Sequence, residues 1–118
     1  MKYNTKGFIN VRTLRHLNPG DGLTLKNGRI VTYKTGYIVA THGVICHTAE
    51  EATLIIRSDE FNGNCGIWID PETGIWYIDH WQRSYGKTKS HILGFVHEQL
   101  AIFNCAKGIA ENTLSFPV

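Results

Sequence analysis

The chain has 118 residues, 42% of them hydrophobic and 19% charged, with a formal net charge of +2. That length supports one core without disulfide or metal staples, and the balanced composition excludes a disordered or low-complexity chain. No apolar run approaches the ~18 residues needed to span a bilayer, so no membrane partner is expected.

One domain covering residues 1–118 is expected from the length. The three cysteines, Cys46, Cys65 and Cys105, are odd in number and widely spaced, and "MKYNTKGFINV" has no apolar leader core. Free thiols in a reducing cytoplasm follow. Charge is polarised along the chain. Residues 1–34 carry seven Lys/Arg against Asp21, a balance of +6, whereas residues 35–79 carry Arg57 against seven acids, a balance of −6. Residues 80–118 return to +2. A gathered N-terminal patch would attract an anionic partner; an interleaved one would merely solvate the surface.

In chain order, "FINVRTLRHL" (8–17) has a helical period with Val11, Leu14 and Leu17 on one stripe, stopped by Asn18-Pro19-Gly20. Asn27-Gly28 between alternating segments predicts a hairpin with strands near 22–26 and 29–34, because a type I′ turn needs two positive φ values. "YIVATHG" predicts a third strand ending at Gly43. Thr48-Ala49-Glu50-Glu51 is a capping box, followed by an apolar stripe of Ala49, Ala52, Ile55 and Ile56. It predicts a helix over 48–58. "FNGNCG" is a loop, and residues 66–80 form a second hairpin. A helix from Thr88 or Ser90 to Glu98, a strand at "LAIFN", a turn at Lys107-Gly108 and an edge strand at "TLSF" complete the chain. The fold class is α+β: a mostly antiparallel twisted sheet, two main helices and a short N-terminal helix.

All three tryptophans fall within residues 68–81. In "GIWIDPETGIWYID" (66–79), Pro71 and Gly74 suit a four-residue loop over 71–74. Asp70 then faces Ile75, Ile69 faces Trp76, Trp68 faces Tyr77 and Ile67 faces Ile78. Alternation separates an apolar face (Ile67, Ile69, Trp76, Ile78) from an amphipathic one (Trp68, Asp70, Ile75, Tyr77, Asp79). Unpartnered buried carboxylates are costly, so the second face should be at least partly wet. An aromatic pair there stabilises the hairpin and also has the composition of a binding surface. Trp81, Arg83 and Tyr85, with Lys87 and Lys89, continue in a glycine-containing loop whose aromatic and basic residues can stack on a base and hold a phosphate.

Catalytic and metal patterns are thin. No CxxC, HxxxH or HExxH pair occurs, and no glycine-rich phosphate loop precedes a helix, so no metal and no cofactor are expected. Cys65, on a flexible turn, with His42 or His80 as base, is the enzymatic alternative.

The stretches "LNPGDGLTLKNGRIVTYKTGYIVATHGV" (17–44), "TAEEA", "GNCGIWID", "GIWYID" and "QLAIFNCAKG" (99–108) resemble a loose group of small accessory proteins of phages and integrated mobile elements. The resemblance covers roughly residues 14–108. It implies a compact α+β protein acting in the host cytoplasm, anti-CRISPR-like in blocking a defence protein, and it assigns no functional residues. The expected function is therefore a non-enzymatic binding protein, a host-defence inhibitor acting by protein contact. Its contact surface would comprise Trp68, Tyr77, Asp70, Asp79, Trp81, Arg83 and Tyr85. A nucleotide or nucleic-acid partner is the alternative.

Overall fold

The computed structural model describes residues 8–86, 101–107 and 109–112. The expected helix at 88–98 and edge strand at "TLSF" lie outside them. The fold is α+β. The elements are α1 (Val11–Leu14), β1 (Gly22–Lys26), β2 (Arg29–Val31), β3 (Tyr37–Cys46), α2 (Ala49–Arg57), β4 (Cys65–Ile69), β5 (Trp76–Ser84), β6 (Ala101–Asn104) and β7 (Ile109–Asn112). Among the described residues the pairs β1–β2, β1–β4, β4–β5, β3–β6 and β6–β7 are antiparallel. Two compact units divide the chain, and β3 and β5 each contribute residues to both. Among the described residues, no helix is long and apolar enough to cross a membrane.

The first unit, residues 1–31 and 43–80, holds strands in the order β2-β1-β4-β5. Its core joins Leu25, Cys65, Ile67, Ile69, Trp76 and Ile78 of the sheet to Leu14, Ala52 and Ile56 of the helices. The Asn27-Gly28 turn has both φ values positive, 53° and 78°, as a type I′ turn requires. Its tip is anchored: Gly28 N donates to Gly63 O (2.9 Å) and Asn27 N to Asn64 Oδ1 (2.9 Å).

Helix α1 is one turn, shorter than the 8–17 pattern, with Asn10 as its N-cap. Leu17 is still buried, beyond the helix end. Thr48 caps α2 by accepting from Glu51 N (3.1 Å). The return bond differs from the expected box, since the Thr48 hydroxyl itself donates to Glu51 Oε1 (3.2 Å). Arg15 Nε donates to Glu50 Oε1 across 2.7 Å, which holds the exposed Glu50 carboxyl below its ordinary range. One N-terminal cation is thus spent on an acid of the middle block.

Strand β3 does not end at Gly43; it runs on to Cys46. At Gly43 the strand packs so tightly on β5 that an added Cβ would overlap Ile78 O. Glycine permits that backbone approach rather than breaking the strand.

The second unit, residues 32–42 and 81–118, holds the order β3-β6-β7 and the end of β5. Its small core is Tyr37, Val39 and Ile102. Strand β2 stops at Val31 rather than at 34 because residues 32–36 leave the ladder to form a seat for the Arg83 side chain. Strand β7 was not foreseen. It pairs with β6 from Ala101↔Asn112 to Asn104↔Ile109, and Lys107 N donates to Asn104 Oδ1 (3.1 Å) in the connection.

Candidate binding surfaces

The expected contact residues fall in both units, and each set is built separately. In the first unit the β4–β5 register matches strand parity: Ile67↔Ile78, Trp68↔Tyr77 and Ile69↔Trp76. Asp70 N closes the pair by donating to Ile75 O (2.9 Å). Gly74, at φ +74°, donates to Asp70 O (2.8 Å), as the four-residue loop demands. Trp76 is consequently 7% exposed and Trp68 43% exposed.

Trp68 and Tyr77 form a tilted pair with centroids 5.7 Å apart. Such a pair contributes about 0.5–1.5 kcal/mol. Tyr77, Asp70 and Asp79 are half-buried. Asp70 has a local task as well, because its Oδ1 accepts from Glu72 N (2.9 Å) and braces the turn. Two glycines complete this face, and the sequence pattern did not single them out. Gly22 is the cross-strand partner of Trp68 on β1, and Gly66 precedes it by two residues on the same face of β4. A Cβ on Gly22 would lie 3.6 Å from the indole Cδ1. With no side chain at Gly22, the indole has room over that strand and is left 43% exposed. The signal was present in "CGIWI" as a glycine in phase with the tryptophan, but Gly22 required the β1–β4 register.

In the second unit Trp81 and Arg83 lie on strand β5, not in a loop as expected. The strand runs on to Ser84, which is buried, with Trp81 and Arg83 half-buried on one face. Arg83 is clasped. Its Cζ lies 3.8 Å from the Tyr33 ring centroid and 4.9 Å from that of Tyr85, and Nη2 donates to Thr35 O (2.9 Å). Tyr33 in turn tilts against Trp81 at 5.8 Å. The result is a run of indole, phenol, guanidinium and phenol. Tyr33 and Thr35 come from residues distant in sequence, and no local pattern marked them.

The enzymatic alternative meets a chemical obstacle. Cys65 is fully buried, and burial, reinforced by the Asp79 charge, pushes its thiol up to about 12. A thiol held neutral and out of water is a poor nucleophile. His80 is engaged elsewhere: it stacks on Phe61 at 4.4 Å, and its Nε2 lies 3.5 Å from Glu60 Oε1. Burial also raises the Cys46 and Cys105 thiols.

No protein-family model, no curated protein and no solved structure matches this chain, so what the surfaces do must be argued from their own chemistry.

Proposed function

We propose that this chain is a non-enzymatic binding protein that grips a protein partner through the Trp68 face of the β4–β5 hairpin. The observation that carries the proposal is the bared indole: Trp68 is 43% exposed, braced on one side by Tyr77 and flanked by Gly22 and Gly66. A large aromatic held rigid and half in water loses little entropy on binding and buries much area, which is why such residues dominate contact energetics. Asp79 and Asp70 border the same face and give it an acidic margin suited to a partner with cations at its rim. The resemblance to phage accessory proteins supports a host defence protein in the cytoplasm as that partner.

The test is affinity capture from host lysate with wild type and Trp68→Ala in parallel, followed by mass spectrometry. A partner retained by wild type should be lost with Trp68→Ala, while the thermal midpoint stays within a few degrees. A partner held equally by both proteins would overturn the assignment of this face.

A further inference from the structure

We propose that the Tyr33–Arg83–Tyr85 stack in the second unit is a binding site for a nucleoside phosphate, with the guanidinium on the phosphate and the outer face of Tyr85 under the base. Three observations converge on it. First, the guanidinium is oriented before any ligand arrives, by two rings at 3.8 and 4.9 Å and by the Thr35 carbonyl at 2.9 Å. Second, its donors are unequally used. Nη2 is bonded to Thr35, and Nε is out of water with no acceptor. Among the described residues Nη1 has no acceptor, which makes it the edge offered to an oxyanion. Third, Tyr85 is 68% exposed although its ring already caps a cation. One side of that ring meets Arg83, and Gly36 lies against its Cδ1–Cε1 edge.

Charge favours an anion here. By sequence the second unit carries five Lys/Arg against two Glu, a balance of +3, whereas the first carries seven against eight, a balance of −1. Lys87 and Lys89 stand two and four positions after Tyr85 in the sequence. A lone carboxylate would engage Arg83 but would leave the flat face of Tyr85 unused. Alternating base and phosphate uses both, as in binders of single strands. A fixed planar guanidinium beside an aromatic also suits phosphate better than a lysine point charge would.

The experiment is fluorescence anisotropy with a labelled oligothymidylate of about ten nucleotides, repeated with thymidine monophosphate as unlabelled competitor. No protein partner is needed, so the outcome is independent of the Trp68 proposal. Wild type should bind, and binding should weaken steeply with salt. Tyr85→Ala removes an exposed ring and should weaken binding about tenfold, the loss of one stacked base. Arg83→Gln should weaken it comparably, and Arg83→Lys should recover only part because the planar stack is lost. Competition by the mononucleotide would identify a free nucleotide as the ligand; its failure to compete would identify a single strand; either supports the site. Absence of wild-type binding, binding indifferent to Tyr85→Ala, or equal displacement by oligoglutamate of matched charge would overturn it.

Discussion

Cys65 shows how one residue type takes its meaning from burial. By sequence it sits in a turn-rich stretch, Gly63-Asn64-Cys65-Gly66, where a flexible turn would expose a thiol. In the fold it begins β4 and lies wholly in the core. The folded thiol keeps its proton up to about 12, whereas an unfolded one ionises near the ordinary value of 9.0. Below 9.0 both states are protonated and the thiol adds no pH dependence. Above it the unfolded state binds fewer protons, so stability falls as pH rises through that window. Denaturant midpoints measured across the window should decline, and Cys65→Ala should flatten the decline. All three cysteines are buried, so a disulfide reagent should find no fast-reacting thiol in the native protein. Rapid labelling of Cys65 without unfolding would contradict its placement.

At the level of the element, the β4–β5 hairpin combines a stability device with an exposed surface. Its apolar face is closed by Ile67, Ile69, Trp76 and Ile78, while the opposite face leaves glycine where a strand would gain from a branched residue. At Gly66 the backbone is not in the left-handed region, and an added Cβ would meet nothing closer than Asp79 O at 3.9 Å. Gly66→Val should therefore raise stability by about 0.5–1 kcal/mol, read as a higher urea midpoint. It should also shield the indole and weaken partner capture. A variant that is more stable yet captures as well as wild type would show that the bared indole is incidental.

Across the whole molecule, the charge blocks of the chain are redistributed by folding. The N-terminal cations up to Arg29 share a unit with all eight acids from Asp21 to Asp79, and the Arg15–Glu50 pair shows the two signs meeting. Arg15 is one cation of the basic third that meets an acid of the middle block, while the second unit carries an excess of +3 by sequence. Salt titration of oligothymidylate binding should reflect that division. Arg83→Gln should reduce the magnitude of the log–log slope by about 0.7, one phosphate contact on a single strand. The double variant Lys26→Gln/Arg29→Gln should leave the slope unchanged.

Wherever neighbours in sequence decide the outcome, the chain was legible. The Asn27-Gly28 turn, the Thr48 cap and the parity that buries Trp76 and bares Trp68 are local consequences of backbone sterics, short-range hydrogen bonds and the period of a strand. Long-range packing decided the rest, because contacts between residues far apart leave no local signature. That Gly43 carries β3 past β5, that Gly22 lies beside Trp68, and that Tyr33 and Thr35 close around Arg83 depended on which strands pair and in what register. The burial that silences Cys65 has the same origin: water is excluded by the assembled core, not by the residues on either side of the thiol.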